Sequence, residues 1–272
     1  MKLFSFNIPE VEASFWDHLE SLRWTFIRVL LVVVSIVVVL FNFKDFIFDE
    51  IIFTPVNSDF ITYRLLCKLA MWLNAPGFCP EAFDIKLINF EISGQFIAHL
   101  TTTLTIALII TVPYILYEIW RFIAPALYPN ERKSAGMVFF TSSFLFYLGS
   151  AVSFYLIFPL TIRFLGTYQI SSFVPNQISL QSYLSTLFIL VFAMGLMFEM
   201  PVLAYFLSRL GILSRQTLKA VRNYAIVVIL ILSAFITPTT DPFTMLVVAL
   251  PLYLLYEVSI LVSKPKMEEI ED

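Results

Sequence analysis

The chain is divided by a succession of apolar stretches that no water-soluble core could bury: residues 24–43, 97–121, 135–165, 180–208, 224–236 and 243–262. A helix needs roughly 20 apolar residues to cross a bilayer core, where the absence of water forces the backbone to close its own hydrogen bonds. Five of the six stretches meet that length. The remaining one, YAIVVILILSAFI, begins at Tyr224 and at about 1.5 Å per residue reaches only roughly 20 Å of a core about 30 Å thick, so a thinned bilayer or borrowed polar flanks are expected there. Composition agrees: 59% of residues are hydrophobic and 14% charged, against roughly 45–50% and about 25% in soluble domains. The reading is an all-α membrane protein of six transmembrane helices, the fifth and sixth of them short. With 29 Phe and 12 Tyr against 7 Gly, the helices are expected to pack through large side chains instead of glycine notches.

An even number of spans places both termini on one side, and the distribution of Lys and Arg chooses which. If the N-terminus is cytoplasmic, twelve of the 17 cations lie on that side and five, Lys44, Arg64, Lys68, Lys86 and Arg163, on the other. Both termini are therefore expected inside. Pro113, Pro159, Pro201 and Pro251 interrupt apolar spans, and each removes a backbone donor and crowds the preceding turn, so a curved bundle of bent helices is expected. The N-terminal stretch carries Glu10, Glu12, Asp17 and Glu20 with no compact apolar region ending in small residues, and no cleaved signal peptide is expected. No internal repeat or low-complexity segment is visible, so residues 1–272 read as a single membrane domain.

The longest loop, residues 45–95, lies on the non-cytoplasmic side in this arrangement. Within it Ile61, Leu65, Leu66, Leu69 and Trp72 recur at helical spacing, the pattern of an amphipathic helix lying on a membrane surface. Both cysteines of the chain, Cys67 and Cys79, fall in the same loop. On an oxidising side they either form one bridge or stand as two half-buried thiols.

Signatures of covalent chemistry are missing: the sequence holds no HExxH, no GxxxxGK[ST] and no GxGxxG, and its two histidines, His18 and His99, stand far apart. Neither metal nor nucleotide cofactor is expected, and neither enzyme activity nor nucleic-acid binding. A carboxylate is more informative. Glu199, in FAMGLMFEMPVLAYF, lies well inside an apolar span, where an acid costs something like 2.5–3.5 kcal/mol on insertion scales. It is either protonated or paired with a hydroxyl, or it serves a polar path or substrate contact, and the second reading is the stronger. Glu257, in LLYEVSILV, is the same case nearer a helix end, where snorkelling is easier.

The stretch IWRFIAPALYPNERK, preceded by Tyr117 and Glu118, resembles the first cytoplasmic loop of the TatC family, the integral subunit of the twin-arginine protein translocase. Further resemblances follow in order: HLESLR at 18–23, FYLGSAVSFYLIFPL at 146–160, FEMP at 198–201, ITPTTDP at 236–242 and LPLYLLYEVSI at 250–260. The resemblance implies a glove-shaped six-helix fold in the bacterial cytoplasmic (inner) membrane, both termini cytoplasmic, that receives signal peptides carrying paired arginines. It also implies TatA-like and TatB-like single-span partners, folded cargo, an oligomeric complex and energy from the proton gradient. Glu131 sits where the family places a carboxylate acceptor for guanidinium, a pairing that planar bidentate hydrogen bonds favour. Phe122, Pro125 and Tyr128 shape the loop, and Arg132 and Lys133 are anchoring cations beside the acceptor. The N-terminal motif departs from the family, which carries its acid where this chain has Ser21, so Glu20 stands as the second acceptor, about 100° away on a helix. The outer loop has one residue more than the common TPPD, and Met245 stands where the family often has Gln. A rival from another class is a proton-coupled small-solute carrier built around Glu199, but the paired repeats common in such carriers are missing.

Overall fold

The computed structural model describes residues 15–74, 85–123, 135–171, 173–174, 176–239 and 241–265. Two compact units make up the chain, one of residues up to 43 with 99–144, the other of residues 44–98 with 145 onward.

The first unit holds helix α1, Phe15–Leu40, which tightens into a 3₁₀ turn over Phe41–Phe43. α4, Gly94–Ile123, passes through it from residue 99, as does the opening of α5, Ala135–Val152. Polar side chains on these apolar helices satisfy themselves locally, as a medium without water requires. Ser35 donates to the carbonyl of Leu31 at 2.8 Å and Thr111 to that of Ala107 at 2.6 Å. Pro113 lies inside α4 without ending it.

The second unit begins with a short α2, Lys44–Ile47, a π-helical turn over Phe48–Ile52 and a 3₁₀ turn over Thr54–Val56. α3, Ile61–Trp72, follows. Strand β1, Leu87–Ile88, pairs in parallel with β2, Ile178–Ser179, Leu87 facing Ile178. This two-residue ladder, which ties the long outer loop to the segment just before residue 180, departs from the all-helical expectation. After α5 comes a π turn at Ser153–Ile157, then α6, Phe158–Thr167. The remaining helices are α7, Leu180–Met197, α8, Met200–Arg209, α9, Arg215–Ala220, α10, Arg222–Ile236, and α11, Pro242–Val262.

Proline accounts for the widened turn between α5 and α6. An α-helix would bond the amide of residue 159 to the carbonyl of Tyr155, but Pro159 has no amide hydrogen. The freed carbonyl of Tyr155 accepts the hydroxyl of Thr62 from α3, and Tyr63 donates to the carbonyl of Pro159 at 2.9 Å. The bend thus becomes the seat of α3. Pro201 acts likewise: the carbonyl of Met197 loses its partner, and the helix breaks at Phe198 and Glu199 between α7 and α8.

The expectation that large side chains alone mediate packing is corrected where α5 passes α7. A Cβ on Gly149 would lie 2.6 Å from the carbonyl oxygen of Met194, and one on Gly195 would lie 2.7 Å from the buried ring of Phe146. Few glycines serve in the chain, but these two are where the backbones approach.

Among the described residues, five helical stretches are long and apolar enough to cross a membrane: one within Leu19–Trp72, then Gly94–Phe122, Val138–Thr167, Leu180–Arg209 and Pro242–Val262. Arg222–Ile236 is apolar but shorter. The last helix, expected to be short, is not: α11 has 21 residues, a full crossing at about 1.5 Å each. Asp241 starts it, accepting the amide of Thr244 at 2.8 Å and the hydroxyl of Thr239 at 2.7 Å, with Pro242 at the first helical position. Burial raises the Asp241 pKa, but these hydrogen bonds outweigh it and hold the carboxyl below its ordinary range.

Candidate functional site

The residues singled out by the sequence divide into a group at the helix ends of the first unit and a group inside the second. At the start of α1 the helical register exposes both Glu20 and Ser21. Glu20 accepts the indole N–H of Trp24, one turn on, at 3.2 Å, and its exposed carboxylate remains open to a further donor. Phe122, half-buried, is in the last turn of α4. Glu131 and Arg132, the centre of the expected receptor loop, lie outside the described residues, as does Lys133.

A turn deeper on the same two helices is a cluster that sequence reasoning did not weigh. Glu118 of α4 is 2% exposed and is held by the guanidinium of Arg28 of α1, Nε to Oε1 at 3.0 Å and Nη2 to Oε2 at 2.8 Å. Tyr114 donates to Oε1 at 3.0 Å and Thr25 to Oε2 at 3.4 Å. The paired geometry is the strong form of guanidinium–carboxylate contact. Glu118 is therefore a resident example of arginine recognition, already occupied. The signal in the sequence is an acid and a base at similar depth in two spans.

Inside the second unit Glu199 stands at the break between α7 and α8, 9% exposed. Its place follows from Pro201, which prevents one continuous helix and leaves the carboxylate at the head of α8. Glu257, expected as a second intramembrane acid, is 29% exposed in its side chain and ion-paired with Arg222 at the start of α10, whose Nε donates to Oε1 at 2.6 Å. It bridges two helix ends and is not isolated in an apolar span. His99 stacks on Phe41 with ring centroids 4.0 Å apart, and the side chain of His18 lies outside those described. Cys67 is disulfide-bonded; Cys79, the only other cysteine of the sequence, lies outside the described residues. Among the described residues no group of His, Cys, Asp and Glu could hold a metal ion.

Comparison with known proteins covers nearly the whole chain. The family described as Sec-independent protein translocase protein (TatC) matches residues 17–251. A Sec-independent protein translocase protein TatC of Blattabacterium sp. is 37% identical over 254 residues, 93% of this chain and 95% of the relative. The TatC of Helicobacter pylori strain J99 is 40% identical over 71% of this chain and 77% of its own. A crystal structure described as Twin Arginine Translocase Receptor-TatC in DDM aligns with a TM-score of 0.72 and 29% identity, over 91% of this chain and 99% of that one. The match runs over residues 17–251, and the chain is a multi-pass membrane protein of the TatC family of Sec-independent protein translocases.

Proposed function

We propose that this protein is the signal-peptide receptor of a twin-arginine translocase, binding paired arginines at its cytoplasmic face through Glu131 and Glu20. The single observation that carries this is the family match over residues 17–251, joined by the likeness to a structure described as a twin arginine translocase receptor. The exposed Glu20 at the head of α1 and Phe122 at the end of α4 support it, because an incoming guanidinium needs an acceptor that a resident arginine has not taken, and Arg28 takes Glu118. Arg132 holds the loop on its side of the membrane and limits the local field. In this reading residues 1–272 form one membrane domain of six spans, with Arg222–Ile236 as a short fifth and both termini in the cytoplasm of a bacterial cell, in its inner membrane. TatA-like and TatB-like subunits join it in an oligomeric complex, folded proteins are the cargo, and the proton gradient drives transport. Cys67 and Cys79 bridge. No observation favours a small-solute carrier.

Photo-crosslinkers placed singly along residues 12–24 and 121–133 test the receptor assignment. A twin-arginine peptide is expected to label both segments, and a twin-lysine peptide much less; labelling confined to other segments would remove it. Glu199 belongs to a later step. Its carboxylate inside a membrane helix points to a polar contact made when cargo engages. Glu199→Ala is expected to leave insertion and peptide binding intact while lowering transport, and Glu199→Gln to be milder. Undiminished transport by the Ala variant at equal protein level would leave Glu199 a packing residue.

A further inference from the structure

The outer helix α3 presents its apolar side away from the protein. Thr62, Tyr63 and Ala70 are the buried face, fixed by the hydrogen bonds of Thr62 to Tyr155 and of Tyr63 to Pro159 and, at 3.2 Å, to Pro55. The exposed apolar face is Ile61, Leu65 and Leu69, each 53% exposed, with Trp72 at 79%. A helix that packed by burying its apolar stripe would be the other way round.

Two features identify what covers that stripe. The first is depth: Pro159, which receives the Tyr63 hydroxyl, lies eight residues before the end of α6 at Thr167, about 12 Å along the helix. The first turn of α3 is therefore beside the apolar part of a stretch long enough to cross the membrane, not beyond its end. The second is charge: Arg64 and Lys68, both exposed, lie one turn apart along one flank of the stripe. The acid facing them, Asp59, meets Arg64 only at 4.0 Å with both side chains largely exposed, a contact of negligible strength.

We infer that α3 is an interfacial membrane helix, with Ile61, Leu65, Leu69 and Trp72 in the acyl-chain boundary of the bilayer and Arg64 and Lys68 on the phosphates of anionic phospholipid. Aromatic and long cationic side chains favour that boundary, where an apolar body meets lipid tails and a polar tip meets headgroups. The seat made by the Pro159 bend then has a purpose, since it turns the stripe toward lipid and holds it there.

The test uses Trp72 as the sole tryptophan, with Trp16, Trp24 and Trp120 changed to Phe, in vesicles of phosphatidylcholine and phosphatidylglycerol. Phospholipid brominated near the headgroup end of its acyl chains is expected to quench emission about twofold, chain-end bromine less, and acrylamide little. Quenching by acrylamide as strong as for free tryptophan, or shielding from both bromine and acrylamide by an added single-span subunit, would overturn the inference in favour of water or protein. The wild-type chain gives a second reading that no substitution can disturb: a carbene-generating group on the lipid acyl chain should form adducts between Ile61 and Leu73, and their absence counts against it. Arg64→Gln with Lys68→Gln should reduce the preference for phosphatidylglycerol by roughly fivefold for each charge removed. An unchanged preference would overturn the phosphate contacts.

Discussion

Glu118 shows how this protein holds a guanidinium: two parallel hydrogen bonds from Arg28, with Tyr114 and Thr25 filling the remaining positions on the carboxylate. Removing one partner leaves a charge in an apolar helix pair, whereas removing both leaves none, so the single variant should cost more than the double. Glu118→Met alone is expected to destabilise by about 3 kcal/mol, and Arg28→Met with Glu118→Met to recover most of the loss. Thermal unfolding in detergent reads this, and a double variant as weak as the single one would show that the pair contributes more than mutual neutralisation. The same chemistry sets the expectation for Glu131. A charge-assisted contact is worth about 1.5–3 kcal/mol, or roughly 10- to 150-fold in affinity. Glu131→Ala should weaken a twin-arginine peptide by that factor and a twin-lysine peptide much less, because lysine gains little from planar pairing. Binding of the twin-arginine peptide by both Glu131→Ala and Glu131→Arg as tightly as by wild type would reduce Glu131 to a solvated neighbour of its cations. Glu199 was legible in the sequence because nothing polar surrounds it for several residues. Glu118 was not, since it sits close enough to the end of its span to read as an interfacial acid, and only the fold brings Arg28 to it.

Bends and close approaches depend on residues that supply no side-chain contact of their own. The prolines were legible because a missing amide leaves the carbonyl one turn back without its helical partner: this accounts for the π turn before Pro159 and the break before Pro201, whereas Pro113 and Pro251 lie inside helices that continue past them. The α3 helix was legible from its spacing too, but its facing was not, because that depends on the carbonyl which Pro159 releases on a distant segment. The glycines were misjudged for a similar reason. A low total says nothing of which two meet, and Gly149 and Gly195 line the passage of α5 along α7. Within a helix Gly→Ala would ordinarily stabilise by about 0.5–1 kcal/mol. Here the added methyl on Gly149 meets backbone at 2.6 Å and that on Gly195 meets Phe146, which is 0% exposed and has no room to withdraw. Overpacking costs about 1–3 kcal/mol and should win. Both Ala variants are expected to unfold at lower temperature, and because the added methyl on Gly195 also meets Ser150 Oγ at 2.7 Å, Phe146→Leu together with Ser150→Ala should rescue Gly195→Ala but not Gly149→Ala; a raised Tm in either single variant would show that the passage is looser than its geometry.

The lengths of the helices set a demand on the bilayer that no single contact reveals. α11 at 21 residues spans about 31 Å and matches an ordinary hydrocarbon core, whereas its neighbour α10, with 15 residues, spans about 22 Å. The shortfall is fixed at both ends. Arg222 opens α10 in an ion pair with Glu257, and Thr237, 1% exposed, closes it with its amide on the carbonyl of Ser233, so the helix has no apolar residues left to recruit. If α10 crosses the membrane as the proposed fifth span, lipid must come to the helix. Mismatch costs fractions of a kcal/mol per Å, so a gap of about 9 Å amounts to a few kcal/mol if the bilayer stays flat, enough to favour thinning beside α10. Spin labels at Tyr224 and Phe235, 73% and 82% exposed near opposite ends of α10, should both report interfacial depth although they are only about 16 Å apart along the helix. Labels at Leu246 and Leu261, 59% and 65% exposed near the ends of α11, should reach the same two interfaces across a longer path. Lengthening the lipid acyl chains should lower the unfolding temperature and push one of the α10 labels deeper before it moves either α11 label. If one α10 label already reports mid-bilayer depth in lipid of ordinary length, the membrane does not thin there and α10 does not cross it.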